Sequence, residues 1–148
     1  MSRPSFARLI RPMSMAGVAL LVAACGLTAV QGPRSWNVAT SDTDGHSSSI
    51  DVSDRSGKVT DVEFDPLGAN PGVGVAAVPG QPNAVDVSWV GGQCDASTTI
   101  DIVGVGAGLG ITVKVEPDAR PCDAIGVTNA IRLKLAQPIP PAMVTLHQ

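Results

Sequence analysis

The chain has no tyrosine, and its 148 residues include only two tryptophans, two phenylalanines and two histidines. So few aromatic side chains leave little from which to build a sugar-binding platform. With only His46 and His147, a Ser–His or Cys–His catalytic pair has little to build on. The hydrolase and zinc-protease motifs Gly-x-Ser-x-Gly and His-Glu-x-x-His do not occur. The sequence therefore predicts a protein that is not an enzyme, with no catalytic residues and no cofactor.

Two further absences concern fold and partners. No window of helical length shows the 3.6-residue apolar period of a helix, which argues against a helical fold. The chain also has no clustered basic region beyond residue 24. Seven basic residues stand there against thirteen acidic ones, a net charge of −6. Because nucleic-acid binding needs a clustered basic surface, we expect no nucleic-acid partner.

The N-terminal segment is the most informative part of what is present. Arg3, Arg8 and Arg11 form a basic start with no acidic residue, and a 12-residue apolar run follows at 13–24. A helix needs roughly 20 apolar residues to cross a bilayer, so this run is too short for a permanent span. Residues 1–24 are therefore predicted to be a cleaved export signal peptide.

The end of that segment, Val22-Ala23-Ala24-Cys25, resembles the lipobox of the bacterial lipoprotein family. The resemblance implies that the Cys25 sulfur carries diacylglycerol, that a peptidase cuts after Ala24, and that the new amino group is acylated. Two or three chains of palmitate length hold a protein stably on a membrane, whereas one does not. The alternative is an ordinary secretory signal cut at the same place, with Cys25 incidental.

The lipobox also predicts a location. The protein is expected to be lipid-anchored on the extracytoplasmic face of the cell membrane, with Cys25 as its contact to the bilayer. Gly26 follows the cysteine, in place of the aspartate that retains lipoproteins in an inner membrane. In a cell with two membranes, the family resemblance therefore implies the outer membrane.

Lipidation of Cys25 would leave Cys94 and Cys122 as an even pair among three cysteines. Outside the reducing cytosol such a pair is predicted to form a disulfide. It would close a loop of 29 residues counting both cysteines, a constraint worth roughly 3–4 kcal/mol on the chain-entropy model. A catalytic or metal-binding role for these cysteines would need partners that two histidines hardly supply.

Past a short tether at 25–34, residues 35–148 are predicted to form one domain. Strand-type segments recur about every ten residues with turn residues between them. Val85, Val87 and Trp89 alternate with polar residues and so share one buried face. We expect an all-β fold, an antiparallel β-sandwich that is immunoglobulin-like (Ig-like), with about seven to nine short strands.

An acidic loop offers the only candidate metal site. Asp42 and Asp44, with Asp51 beyond Gly45, loosely resemble a calcium-binding loop, where alternating oxygens and a turn glycine surround the ion. Thr40 occupies the first ligand position, and the last ligand is an aspartate followed by a strand pattern. A solvated polar turn explains these residues far better, so no metal is expected, with the three aspartates as weak candidates.

Two other patterns have an ordinary explanation beside a chemical one. Asp61, Glu63 and Asp65 would line one face of a strand, either as an acid–base pair for glycoside hydrolysis or as the solvated face opposite a core. Residues 72–77 superficially match a dinucleotide-binding fingerprint, but they follow Asn70-Pro71 where that motif needs a strand. The solvated face and a glycine turn are the predictions.

Four downstream segments resemble small envelope lipoproteins of GC-rich bacteria that carry a disulfide-stapled β-domain, a group without an assigned activity. They are 54–59, 89–95, 122–127 and 131–135. The resemblance implies a fold and a location only. We predict a membrane-anchored, non-enzymatic binding or scaffold domain that meets another envelope protein. The alternative is an envelope ligand-binding or hydrolytic protein whose acidic site combines Asp42, Asp44, Asp61 and Glu63.

Overall fold

The computed structural model describes residues 32–41, 47–64, 72–92, 95–119 and 126–148. Several predicted features lie outside these ranges, so lipidation, the disulfide and two calcium candidates stay predictions; the residues concerned are Cys25, Asp42, Asp44, His46, Asp65, Cys94 and Cys122. Among the described residues, no helix is long and apolar enough to span a membrane.

The described chain is all-β, as the alternating sequence patterns predict. Its elements, in order, are β1 (Arg34–Ser41), β2 (Ser47–Asp54), β3 (Val59–Phe64), β4 (Gly74–Val78), β5 (Gln81–Gly92), β6 (Asp95–Val105), β7 (Gly108–Pro117), β8 (Gly126–Leu135), a 3₁₀ turn (Pro141–Met143) and β9 (Val144–His147). Tight turns join β4 to β5 and β6 to β7, where Gly80 and Gly106 have φ of 74° and 56°. Glycine adopts this left-handed conformation without the steric cost that a Cβ would bring.

The strands form two sheets. Sheet A has five strands in the order β1-β2-β6-β7-β9, and sheet B has four in the order β3-β8-β5-β4. The expectation of a purely antiparallel arrangement is wrong, because β2 pairs with β6 and β7 with β9 in parallel. Successive strands reverse direction along the chain, so two even-numbered or two odd-numbered strands that become neighbours run the same way. An immunoglobulin-like order is not confirmed, since the sheets of that fold are antiparallel.

Both sheets contribute to one hydrophobic core. Its members are Val52, Val59, Val62, Val85, Val87, Trp89, Ile100, Ile102, Leu109, Ile111, Val113, Ile131, Leu133, Leu135 and Ile139. The predicted buried face of β5 is confirmed, since all three of its apolar side chains are fully enclosed. The indole Nε1 of Trp89 is buried without a hydrogen-bond partner in the described structure.

The turns gather at two ends of the molecule. We call one of these ends the turn end. It carries the start of β1, the connection 55–58 and the β6–β7 turn. Arg34 pairs with Asp54 and Asp54 with Ile102, which places these segments side by side. The opposite end carries the start of β6, where Asp95 pairs with Pro117 of β7.

Candidate functional site: the charged face of sheet B

The outward surface of sheet B carries an ordered set of charges. In β8 the core residues Ile131, Leu133 and Leu135 alternate with Arg132 and Lys134, which therefore project away from the core. Strand pairing sets Arg132 between Glu63 of β3 and Asp86 of β5, and it sets Lys134 opposite Asp61. We call Asp61, Glu63, Asp86, Arg132 and Lys134 the charged face.

Arg132 is the centre of the charged face. Its Nε donates to Oδ1 of Asp86 at 2.8 Å, and its Nη2 donates to Oδ2 at 3.0 Å. Nη1 also lies 3.8 Å from Oε2 of Glu63. The Arg132 and Asp86 side chains are only 15% and 9% exposed. The hydrogen bonds that Arg132 donates to Asp86 raise the pKa of Arg132 despite some opposing desolvation. The guanidinium therefore stays charged, and its two-point contact fixes the geometry of the pair.

Lys134 and Asp61 form a second, more open pair. Lys134 Nζ donates to Oδ2 of Asp61 at 3.0 Å, and both side chains are about half exposed. This hydrogen bond holds the pKa of Asp61 below its usual 3.8, against a smaller desolvation effect and with help from the Val62 amide. Asp61 is therefore ionised at neutral pH.

The sequence offered Asp61 and Glu63 as an acid–base pair or as a solvated face. They do share the outward side of β3, while Val62 is buried between them and Phe64 packs on the core. A general acid at neutral pH needs a raised pKa, whereas the pKa of Asp61 is lowered. The geometry therefore agrees with a solvated, ion-paired face.

An open groove of about 320 Å³ adjoins the charged face near the β4–β5 turn. Its walls are formed by Gln81, Pro82, Asn83, Ala84, Lys134 and Leu135. Lys134 belongs to both the groove and the charged face, whereas neither Asp61 nor Glu63 lines the groove. A ligand in the groove would meet one ammonium group and a mostly uncharged wall.

Sequence reasoning missed the roles of Asp86 and Arg132. Each sits between two buried residues in an alternating segment, so their outward direction was predictable. That β5 lies beside β8 was not predictable, because Asp86 and Arg132 are 46 positions apart in the chain. Only the sheet order makes them a pair.

The glycine pattern at 72–77 serves the backbone. The buried Ser88 hydroxyl donates to the Gly72 and Gly74 carbonyls. Gly72 and Gly74 have φ of 70° and 140°, and Gly74 begins β4. A phosphate-binding fingerprint needs a helix N-terminus at this place. The predicted turn is therefore limited to 72–73, and residues 74–77 instead belong to strand β4, which pairs with β5.

Asp51, the one calcium candidate within the described residues, lies on sheet A. Asp51 is exposed on the outward face of β2, and its carboxylate accepts a hydrogen bond from the Asn37 amide. Within the described ranges, no three His, Cys, Asp or Glu side chains are placed to hold a metal ion. His147 is exposed at the end of β9.

A buried carboxylate at the turn end has a structural role. Asp54 is fully buried, and it accepts hydrogen bonds from the Ser56 amide at 2.8 Å, the Ser56 hydroxyl and the Val59 amide at 3.2 Å. These bonds close the turn at 55–58, in which Gly57 has φ of 68°. Asp54 thus satisfies buried donors that would otherwise be left unpaired.

Comparison of the chain with protein-family models, with curated proteins and with solved structures gives no match.

Proposed function

We propose that this protein is a lipid-anchored extracytoplasmic lipoprotein whose β-domain binds another envelope protein through its charged face, without catalysis. One observation carries the binding role. Each carboxylate of the charged face lies against a lysine or arginine, and the central pair is nearly buried. Such a face presents a fixed pattern of charge, and the lowered pKa of Asp61 does not suit a general acid.

A fixed charge pattern suits recognition of a partner. Complementary charges across an interface mainly determine specificity and the rate of encounter. The Arg132–Asp86 pair holds two strands of the face in register, while Asp61, Glu63 and Lys134 are each more than two-fifths exposed. These three side chains can exchange part of their contacts for those of a partner.

The anchor supports the same proposal from the sequence. The lipobox ends at Cys25 and β1 begins at Arg34. At about 3.3–3.6 Å per residue, the nine steps from Cys25 to Arg34 reach no more than about 32 Å. A domain on so short a tether stays next to the membrane, where other envelope proteins are concentrated.

Mass spectrometry of protein purified from membranes tests the anchor. We expect an N-terminal, acylated Cys25, and we expect Cys25→Ser protein to be unacylated and released from the membrane. Cys122→Ser is the matched control, since it also exchanges a cysteine for serine but should keep the lipid. Unacylated wild-type protein that stays in the membrane would refute the anchor.

Crosslinking in native membranes tests the binding face. The double variant Asp61→Asn/Glu63→Gln removes two exposed carboxylates from sheet B, and Asp51→Asn/Glu116→Gln removes two from exposed residues of sheet A. We expect a crosslinked partner to be lost with the first variant and retained with the second. Equal retention in both would show that the charged face is not the interface.

A further inference from the structure

The turn end carries an exposed apolar surface. Val103, Val105 and Met143 are 37%, 59% and 44% exposed, although each is large and apolar. Residues 103–108 contain only valine, glycine and alanine, so the tip of the β6–β7 hairpin has no polar side chain. Exposed apolar side chains gathered at one place indicate a contact surface more often than single scattered ones do.

This hairpin projects past the point where the tether enters the domain. Arg34 lies level with Asp54 and Ile102 across sheet A. The hairpin continues three residues further, to Val105, which corresponds to roughly 10 Å of strand. The end of the molecule that receives the chain from Cys25 is therefore also the end with the apolar tip.

Basic residues accompany the apolar tip. Arg34, Arg55 and Lys58 all lie at the turn end, and Arg55 is 60% exposed. Asp54 is buried there and Asp101 lies 3.7 Å from Arg55. The opposite end has the acidic residues Asp95, Glu116 and Asp118. A chain that is acidic as a whole thus places positive charge around its apolar tip.

The tip is held in a defined conformation. Lys58 Nζ donates to the Gly106 carbonyl at 3.0 Å and to the Gly108 carbonyl at 2.9 Å. Gly108 packs directly on the Met143 backbone, whose oxygen lies 2.0 Å from where a Cβ would be. Because these contacts already order the hairpin, little conformational entropy remains to be lost on binding.

We propose that the turn end docks onto the surface of a membrane containing anionic lipid. Val103, Val105 and Met143 enter the interface, and Arg34, Arg55 and Lys58 face the phosphate headgroups. This inference rests on the proposed lipid anchor, which keeps the turn end beside the bilayer. A lipid chain and a small apolar, basic surface then act together as two membrane-binding signals. Docking would point the acidic end away from the membrane.

Two exposed valines at opposite ends of the molecule provide a matched test. Val105 is 59% exposed at the turn end. Val90 is 54% exposed near the C-terminal end of β5, at the opposite end of the molecule. Each is replaced separately, as Val105→Trp and Val90→Trp, in the full-length lipidated protein. The proteins are reconstituted into vesicles of phosphatidylcholine and phosphatidylglycerol with bromine on the lipid chains. Trp36 and Trp89 give the same background fluorescence in both.

We expect bromine to quench Val105→Trp more than the wild type, and Val90→Trp no more than the wild type. Salt should reduce the extra quenching, because it screens the basic residues from the headgroups. Adding Arg55→Gln should lower the apparent docking constant, measured from this extra quenching, about fivefold. A basic residue near an anionic surface contributes about 1 kcal/mol. Ala107→Trp reports on the same tip if Val105→Trp melts early.

Other outcomes separate the inference from the anchor. Lipidated protein with equal quenching at both positions would overturn docking and leave the anchor intact. Unlipidated protein quenched only at Val105→Trp would overturn the anchor and support docking, and unlipidated protein with no quenching would overturn both. Without vesicles, the tryptophan of Val105→Trp could instead become less accessible to solvent as the protein concentration rises. That result would overturn docking in favour of contact between two copies of the chain.

Discussion

Arg132 and Asp86 form a bidentate pair on the outward face of sheet B, with nitrogen–oxygen distances of 2.8 and 3.0 Å. The two residues lie directly opposite each other on β8 and β5. Their side chains are nearly enclosed although they face away from the core. The pair therefore behaves as a buried ion pair on the outward face of sheet B. Removing one partner should lower the stability of the fold more than removing one partner of an exposed pair.

Arg132→Met is expected to destabilise the domain by about 3 kcal/mol, because it leaves the Asp86 carboxylate buried without a cation. Urea denaturation of the purified protein measures this loss. The double variant Asp86→Leu/Arg132→Met should recover most of it, since no buried charge remains. A double variant as unstable as the single one would show that packing, and not charge, is responsible.

Gly108→Ala is expected to destabilise the protein by about 2 kcal/mol, because the added Cβ would meet the Met143 carbonyl at 2.0 Å. Gly106→Ala is the matched control two residues away. No atom lies within 4 Å of its added Cβ, so only the left-handed φ should cost about 1 kcal/mol. Thermal melting of both variants compares them, and equal losses would argue against close contact between β9 and the hairpin.

The Cys94–Cys122 disulfide remains a prediction, and the described strands beside it are compatible with it. Asp95, next to Cys94 in the chain, pairs with Pro117, and Gly92 pairs with Gly126. The described strand ends that flank the two cysteines are therefore paired with one another. Non-reducing peptide mapping should join the two cysteines, and Cys94→Ser/Cys122→Ser should lose roughly 3–4 kcal/mol of stability. Two free thiols in protein from the envelope would refute the bond.

Asp61 is expected to make stability depend weakly on acidity. Its folded pKa is lower than 3.8, so its pairing with Lys134 stabilises the fold above that pH and is lost as pH falls through the folded pKa. The pair is exposed, so Asp61→Asn should cost only about 0.2–1 kcal/mol at pH 7. Urea denaturation of both proteins from pH 7 to pH 2 should show the difference vanish. A difference that persists at pH 2 would rule out the ion pair as its source.

Calcium is expected to leave the thermal transition unchanged. A ligand that prefers the folded state must raise its stability, so melting with calcium and with EDTA tests the candidate Asp42, Asp44 and Asp51. Asp51 already accepts a hydrogen bond from Asn37. An upward shift with calcium that Asp42→Asn/Asp44→Asn abolishes would instead establish a metal site in that loop.

Much of the fold was predictable because strand alternation is a local property. The pattern of Val85, Val87 and Trp89 identified a buried face. The parallel pairs were not predictable. Direction alternates from strand to strand, but which strands become neighbours depends on packing between segments far apart in the chain.

The charged face shows the same division. That Asp61 and Glu63 share one side of a strand follows from the two-residue period of β structure. Their neutralisation by Lys134 and Arg132 follows from pairing β3 with β8, and the buried Asp86 contact follows from pairing β8 with β5.

The sequence by itself predicted the lipobox and an all-β domain, because each depends on residues close together in the chain, and it predicted the cysteine pair from the number of cysteines. Tertiary structure decided which charges meet and which end receives the tether. Only the assembled sheets place Arg34, Lys58 and Val105 at one end, since strand order and register are set by a core shared between distant segments.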